Sequence, residues 1–212
     1  MDSALLEQLS PLARLALSYA PGAVRDDWLT LLALDAKLAG IVRQAREETL
    51  ARIRLAWWRE RLQAPVAERP KGEPLLARLA DWPDAGRGLE ALVDGWEALL
   101  GDEVLSAETL SEFADGRAAA ANLLLARHGI APRADLGGWG LADLALNLSD
   151  PAEKAASLDL VRASPAQGKR PKALRPLVVI EGVTRKAALA GRPLLSGPID
   201  LLLAMRLGLL GA

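Results

Sequence analysis

Apolar residues recur at steps of three and four along nearly the whole chain, and this period restricts the fold more than any other feature. Trp28, Leu31, Leu34, Leu38 and Ile41 show it most clearly. Such steps place one apolar stripe along a helix. Aromatic residues make up only 4% of the chain, whereas Ala, Leu and Arg are abundant, and this composition favours helix over strand. The pattern predicts helices over residues 11–20, 28–42, 50–62, 87–100, 107–128, 139–148, 151–163, 172–190 and 198–209.

Polar residues followed by proline mark several of the predicted helix starts. Ser10-Pro11, Asp150-Pro151 and Ser164-Pro165 each place a capping side chain before a proline that suits the first helical position. Glu153 is expected to complete a capping box with Asp150. The charged, proline-containing stretch 64–73 is predicted to be a surface loop. Because no internal repeat or break in composition is evident, we predict a single all-α domain that spans the 212 residues.

The chain has no cysteine and one histidine, which excludes several kinds of site. Disulfides and thiolate zinc sites need cysteine, and histidine clusters need more than His128. His128 precedes Gly129 at the predicted end of a helix, which favours a structural role for its ring. The net charge is −1, with 26 basic and 27 acidic residues interspersed, which argues against a nucleic-acid partner.

Hydropathy sets the expected location of the protein. No apolar stretch reaches the ~18 uncharged residues of a membrane-spanning helix, and the start Met1-Asp2-Ser3 does not resemble a signal peptide. We therefore expect a cytoplasmic protein, with peripheral membrane association as the alternative. The apolar stretch Ile199–Leu210 is expected to pack into the domain, although it could also lie on a membrane surface or accept a partner. The basic loop Gln167–Lys172 is expected to be solvated, with contact to anionic lipid headgroups as the alternative.

Several charged and aromatic residues have structural interpretations. Asp26-Asp27 are expected in the first turn of a helix, where negative charge complements the helix dipole, with a metal role as the alternative. Trp57-Trp58 are expected to serve the core. A group of arginines with interleaved glutamates is interpreted as a solvated face, with anion binding as the alternative. These arginines are Arg46, Arg52, Arg54, Arg59 and Arg61.

The first quarter of the chain carries a set of motifs in a fixed order. They are Ser18-Tyr19-Ala20, Arg25, Leu31-Leu32-Ala33-Leu34, Ile41-Val42 and Leu55-Ala56-Trp57-Trp58-Arg59-Glu60-Arg61-Leu62. This order resembles the opening of squalene/phytoene synthase family proteins, and the Trp-Trp-Arg-Glu element is its most specific part. The segments Phe113–Ala119 and Leu174–Leu177 resemble later parts of the same family. The resemblance implies an isoprenoid synthase-type domain of about eight to ten helices around a central cavity.

The family's chemistry, as the resemblance implies it, depends on aspartates that hold Mg²⁺ against the diphosphates of two isoprenyl substrates joined head to head. Aspartates four residues apart share one helix face and can ligate the ion together, which neutralises the departing diphosphate. With Arg25 as the family's leading arginine, the two metal-binding aspartates fall on Ala39 and Arg43. The adjacent aspartate falls on Gly40, and the diphosphate-contacting arginine falls on Ala36. We therefore expect no metal site and no cofactor.

The family's second aspartate-rich motif corresponds to residues 141–153 of this chain. Asn147 and Asp150 match it in residue type, but their spacing is one residue short. Asp150 is therefore interpreted as a helix cap, and a shared metal face with Asp143 as the alternative. The residues proposed to contact a ligand are Ser18, Tyr19, Arg25, Asp35, Arg43, Asp143, Asn147 and Asp150.

Three functions remain open from the sequence. The favoured one is a catalytically degenerate family member with a binding or assembly role, which resembles short bacterial members and the complex I assembly factor branch. Its partner would be an isoprenoid or other apolar ligand, a membrane surface or a protein. The second is an active Mg²⁺-dependent prenyl transferase that uses the carboxylates Asp35, Asp115, Asp143 and Asp150. The third is a helical adaptor whose centre is solidly filled.

Overall fold

The computed structural model describes residues 2–82, 85–101, 103–164 and 170–211, and within these ranges the chain forms α-helices without a β-strand. The α-helices of this part are α1 (Ser3–Glu7), α2 (Pro11–Ser18), α3 (Gly22–Arg43), α4 (Glu48–Gln63), α5 (Pro74–Arg78), α6 (Ala85–Ala98), α7 (Ala107–Arg127), α8 (Gly138–Asn147), α9 (Pro151–Ala163), α10 (Arg175–Leu189) and α11 (Pro198–Leu210). Short 3₁₀ turns occur at Val66–Glu68, Leu79–Asp81 and Lys172–Leu174. The all-α prediction is therefore confirmed, and this part of the chain has two short helices in addition to those predicted from the spacing of apolar residues.

The two helices that the period does not indicate are α1 and α5, each of five residues. A helix this short has little more than one turn, so it shows no repeating stripe. Helix α3 begins at Gly22, several residues before the apolar stripe. Asp26-Asp27 therefore lie in its second turn, and the expectation that they lie in the first turn is wrong.

The predicted caps are mostly present. The Ser10 hydroxyl accepts the N–H of Ala13 at 3.2 Å and begins α2. Asp150 Oδ1 accepts the N–H groups of Ala152 and Glu153 at 2.8 and 3.0 Å and begins α9. The capping box is wrong in its second half, because Glu153 turns to the backbone N–H of Leu105 at 3.0 Å instead. The helix start predicted at Ser164-Pro165 lies outside the described residues from Pro165 onward, and Ser164 itself ends α9.

Helix α3 runs through the interior of the domain. Eight consecutive residues, from Trp28 to Asp35, are buried, so the helix is covered on every side over this stretch. The indole N–H of Trp28 donates to the carbonyl of Ala173 at 2.7 Å, in the 3₁₀ turn before α10. Because helices that are covered all round lie inside a protein, α3 is an interior helix, and it packs against α1, α2, α4, α5, α6 and α7.

Glycine lets α6 and α7 approach each other closely. A Cβ added at Gly116 of α7 would lie 2.2 Å from the carbonyl oxygen of Ala91 in α6. A Cβ added at Gly95 of α6 would lie 3.1 Å from the Cα of Phe113 in α7. The backbones of α6 and α7 are so close at these two positions that only glycine fits. Helix α7 also contacts α3.

Candidate functional site: the central cavity

A small cavity of about 120 Å³, which we call the central cavity, lies between α3, α6, α7, α8 and α10. Helix α3 lines it with Asp35, Ala36, Ala39 and Arg43, which follow one another at steps of one, three and four residues. The cavity is completed from α6, α7, α8 and α10, among other segments, by Trp96, Arg117, Trp139, Asp143, Ile180 and Thr184. One face of α3 is therefore turned toward the centre.

Arg117 of α7 holds two of the carboxylates at this cavity. Its Nη2 donates to Asp35 Oδ2 at 2.5 Å, and its Nη1 donates to Asp143 Oδ2 at 3.0 Å. The other oxygen of Asp35 accepts the indole N–H of Trp96 at 2.9 Å. Arg117 and Asp35 are 4% and 6% exposed, so the ion pair is shielded from water. We call these four residues the Arg117 network.

Aromatic rings surround the guanidinium of Arg117. Its Cζ lies 3.8 Å from the ring centroid of Trp139 and 5.3 Å from that of Phe113. Trp96 and Phe113 pack edge to face, with ring centroids 4.8 Å apart. A cation over an aromatic face is attracted by the ring electrons, and more so when it is desolvated. The rings therefore support the cation from the sides that the carboxylates leave free.

Burial lowers the pKa of Arg117, but the nearby charges and hydrogen bonds of Asp35 and Asp143 outweigh that effect. The pKa of Arg117 is therefore raised above its ordinary value, and the guanidinium stays charged. Asp143 also faces a second cation, because Arg43 Nη2 lies 4.0 Å from Asp143 Oδ2. The Arg43 side chain is 51% exposed and marks the side on which the network meets solvent.

The sequence-predicted site residues do not all meet at this cavity. Asp35, Arg43 and Asp143 do. Ser18, Tyr19 and Arg25 lie instead around the turn between α2 and α3, and the ring of Tyr19 packs on α11 where a Cβ at Gly208 would lie only 2.4 Å away. Ser18 donates to the carbonyl of Leu15, and Arg25 donates to that of Ala20. Their roles toward a ligand stay predictions.

Of the remaining candidates, Asn147 donates to the backbone carbonyl of Asp143 at 2.7 Å and is exposed at the end of α8. Asp150 caps α9, and Asp115 lies exposed on α7 beside a separate surface pocket. The four carboxylates that the enzymatic alternative requires are therefore not brought together at one site. Asp35 and Asp143 share Arg117, whereas Asp115 and Asp150 have other surroundings.

Comparison with known proteins bears on the origin of this site. The sequence model of the family described as squalene/phytoene synthase matches residues 10–158, well over half of the chain. The chain belongs to the squalene/phytoene synthase family. The matched region contains α3, α7 and α8, and therefore Asp35, Arg43, Arg117 and Asp143. No curated protein and no solved structure matches the chain.

The family's Mg²⁺ can be tested against the residues that the cavity presents. The positions that the register assigns to the metal-binding aspartates, Ala39 and Arg43, both line the cavity and offer no carboxylate. Asp35 and Asp143 accept hydrogen bonds from Arg117 and face a cation. Within the described ranges, no three acidic, histidine or cysteine side chains come together as a metal site would need. Mg²⁺ needs oxygen ligands that are free to bind it. Ala39 and Arg43 supply none, and the carboxylates of Asp35 and Asp143 are engaged by Arg117, so the residues at this cavity do not fit the ion.

A second and larger concavity runs between α3 and α4, and we call it the α3–α4 groove. Its volume is about 730 Å³. Ile41, Ile53 and Trp57 give it apolar walls, and Lys37 and Arg54 contribute cations. Its lining also includes Gln8, Ala36, Gly40, Gln44, Trp58 and Glu73. Trp58 is buried as expected, but Trp57 is 38% exposed, so the expectation of a core role is wrong for Trp57.

The other charged groups have mostly structural partners. Arg59 donates to Glu97 Oε2 at 2.5 Å and to Asp94, and Arg52 donates to Glu48 at 2.7 Å, which agrees with the interpretation of a solvated ionic face. His128 caps the end of α7 as predicted, and its Nε2 lies 2.7 Å from Asp27 Oδ2.

The basic loop predicted to be solvated contains a buried residue. Arg170 is 6% exposed and donates to Glu181 Oε2 at 2.6 Å and to the backbone and side chain of Asp135. Solvation is therefore the wrong expectation for Arg170, because the loop carries its charge to a buried carboxylate. Residues 167–169 of this loop lie outside the described ranges.

Sequence reasoning did not single out Arg117, Trp96 or Trp139. A signal for Arg117 was present, because it follows Phe113 by four residues and precedes Ala121 and Leu124 at helical steps. It is therefore a charged residue on the apolar stripe of α7. A charge at such a position needs a buried partner, and Asp35 and Asp143 are the carboxylates that supply it.

Proposed function

We propose that this squalene/phytoene synthase family member has lost Mg²⁺-dependent condensation and uses the family fold to bind an apolar ligand. The observation that carries the proposal is the Arg117 network. Family chemistry needs carboxylates that are free to ligate metal on the face of α3 toward the cavity. In this chain Asp35 and Asp143 are engaged by a guanidinium, and Arg43 adds a second cation beside them.

The size of the central cavity supports the same proposal. Ligand pockets usually have volumes of about 300–1,000 Å³, and the central cavity has about 120 Å³. Two isoprenyl chains do not fit in this volume. The cavity also weakens the third possibility, an adaptor with a solidly filled centre.

The α3–α4 groove is the better place for a ligand. Its volume of about 730 Å³ lies within the usual range for small-molecule pockets. Ile53 and Trp57 are 59% and 38% exposed, so their apolar surface is open to a ligand. Lys37 and Arg54 suit an anionic group at one end of that ligand. An isoprenoid with a phosphate or carboxylate head combines the two chemistries.

A role in protein assembly, as in the complex I assembly factor branch that the sequence resembles, would also use a non-catalytic domain. We favour a small ligand because the groove is concave and carries both apolar walls and cations, which is the usual composition of a ligand pocket.

The first experiment measures turnover. Purified protein is incubated with farnesyl diphosphate or geranylgeranyl diphosphate and Mg²⁺, and released diphosphate is quantified. We expect no release above the rate without protein. Release that requires Mg²⁺ and disappears in Asp143→Ala would overturn the proposal and support the enzymatic alternative.

The second experiment measures binding without chemistry. Farnesyl thiodiphosphate, a poorly reactive analogue, is titrated by calorimetry without Mg²⁺. We expect saturable binding that is weakened by Ile53→Glu and unchanged in Val66→Glu, since Val66 is a similarly exposed aliphatic residue that does not line the groove. Absence of binding, or equal weakening in both variants, would contradict a ligand site in the groove.

A further inference from the structure

Helix α11 leaves about half of its circumference uncovered. At about 100° per residue, the exposed positions fall on one continuous side of the helix, opposite Asp200, Ala204, Leu207 and Gly208. The large apolar residues on that side are Ile199, Leu201, Leu202, Met205, Leu209 and Leu210, and each is 48–72% exposed. We call this surface the outer face of α11. The expectation that Ile199–Leu210 packs into the domain is therefore right for only one side of the helix.

The charges in and around α11 are mostly positive. Its one acidic residue, Asp200, is buried and held by Arg192, whose Nη1 and Nη2 donate to the two carboxylate oxygens at 2.7 and 2.5 Å. These hydrogen bonds lower the pKa of Asp200, so it stays ionised and compensated. Arg206 is the one charged residue on the outer face, and Lys186 is exposed near Asp200 at the other end of the helix. An apolar face that carries one cation and has a second cation near one end is complementary to anionic headgroups over acyl chains.

The area of the outer face is too small for a stable dimer. A helix of 13 residues is about 20 Å long and about 10 Å wide, so it offers a few hundred Å². Stable protein interfaces bury about 800 Å² per partner. A bilayer surface has no such requirement, because a single helix packed on the domain can lie in its plane and insert its exposed apolar side chains between headgroups.

We propose that the outer face of α11 docks this protein on an anionic lipid bilayer, with Ile199, Leu202 and Met205 inserted and Arg206 among the headgroups. Helix α11 lies parallel to the surface and does not cross the membrane, and no helix in the described ranges is long and apolar enough to span one. The inference does not depend on the ligand proposed for the α3–α4 groove, because none of that groove's lining residues lies on α11.

The test is co-sedimentation with vesicles. Vesicles of phosphatidylcholine are compared with vesicles of equal parts phosphatidylcholine and phosphatidylglycerol. We expect binding to the anionic vesicles, reduced by about tenfold in Leu202→Glu/Met205→Glu and reduced to a smaller extent in Arg206→Gln or at high salt. Leu202 and Met205 are 64% and 48% exposed, so the double variant is expected to fold normally.

Val104→Glu is the matched control, because Val104 is 66% exposed and lies in the loop before α7. Failure of the wild-type protein to sediment with anionic vesicles would overturn the proposal, and so would equal loss in the control. Light scattering in the absence of lipid tests the alternative occupant of this face, a second copy of the chain. A wild-type dimer that becomes monomeric in Leu202→Glu/Met205→Glu would assign the face to a second copy of the chain and refute lipid docking.

The absence of cysteine allows a direct measurement of depth. Leu202→Cys and Val104→Cys each introduce the sole thiol of the chain, which takes one nitroxide label. On anionic vesicles we expect the label at residue 202 to become accessible to oxygen and protected from a polar relaxation agent, and the label at residue 104 to stay solvent-accessible. A label at residue 202 that stays in water would contradict insertion.

Discussion

Replacing Arg117 with methionine removes the cation at the centre while keeping most of the side-chain volume. Asp35, which is 6% exposed, then keeps the hydrogen bond from Trp96 but loses the charge that compensates it. Removing one partner of a buried ion pair costs about 3–5 kcal/mol. The lost attraction to the Trp139 ring adds up to about 2 kcal/mol, although the two effects are not additive because they share one side chain.

We therefore expect Arg117→Met to lower the free energy of unfolding by about 4 kcal/mol, a large part of the total of about 5–15 kcal/mol typical of a domain. The measurement is guanidinium chloride unfolding followed by circular dichroism. The midpoint should fall while the slope with denaturant stays the same, because the surface exposed on unfolding hardly changes.

The control is the charge-free triple variant Asp35→Asn/Arg117→Met/Asp143→Asn. Replacing a whole buried ionic group by neutral residues is often close to neutral, and the amide oxygen of Asn can still accept the Trp96 N–H. The triple variant should therefore be more stable than Arg117→Met alone. A loss below about 1 kcal/mol in the single variant, typical of exposed ion pairs, would refute a network shielded from solvent. So would a triple variant that is less stable than the single one.

Three further predictions concern a close helix contact, an ion pair and a helix cap. Gly116→Ala should destabilise the protein by about 1–3 kcal/mol in denaturant unfolding, because the new Cβ would lie 2.2 Å from a carbonyl oxygen of α6. Gly40→Ala is the control: a Cβ at Gly40 meets nothing within 4 Å, so this variant should be more stable than the wild type by about 0.5–1 kcal/mol. Since the hydrogen bonds from Arg192 lower the pKa of Asp200 below 3.8 in the folded state, their stabilisation is present above that pH and lost as the pH falls through the folded pKa, so Asp200→Asn should flatten the acid side of the stability profile. Asp150→Ala should cost about 1 kcal/mol of stability through its cap and leave the vesicle and ligand titrations unchanged, and a change in ligand affinity would contradict a purely capping role.

The sequence predicted the helices well because helical periodicity is a local property. Amphipathic segments of ten or more residues repeat their apolar stripe several times, and each of these was located within three residues of its ends except at the start of α3, which lies at Gly22 rather than at Trp28. Local patterns do not specify which residues meet across the fold. Glu153 illustrates this, since its predicted partner was three residues away but its real partner is the N–H of Leu105, 48 residues earlier.

The candidate site shows the same limit more strongly. Asp35 and Asp143 were among the predicted residues, but the cation between them lies 82 residues from one and 26 residues from the other. Trp57 and Trp58 are neighbours in sequence, and nothing in the local pattern indicates that the first faces a groove and the second the core. Such outcomes depend on how the helices pack against each other, which the local pattern of apolar residues does not specify.

An arginine side chain and a bound metal ion differ in how reliably they compensate the negative charges of Asp35 and Asp143. A metal compensates carboxylates only while its concentration keeps the site filled. Arginine stays charged at all ordinary pH values, and Arg117 is tethered to α7. Asp35 and Asp143 are therefore compensated under all such conditions. The small side chains of Ala36 and Ala39, which line the same cavity, leave space next to the guanidinium and the Trp139 ring. Larger residues there would compete for about 120 Å³. The small side chains of Ala36 and Ala39 on the α3 face and the guanidinium of Arg117 opposite them are thus physically compatible parts of one arrangement.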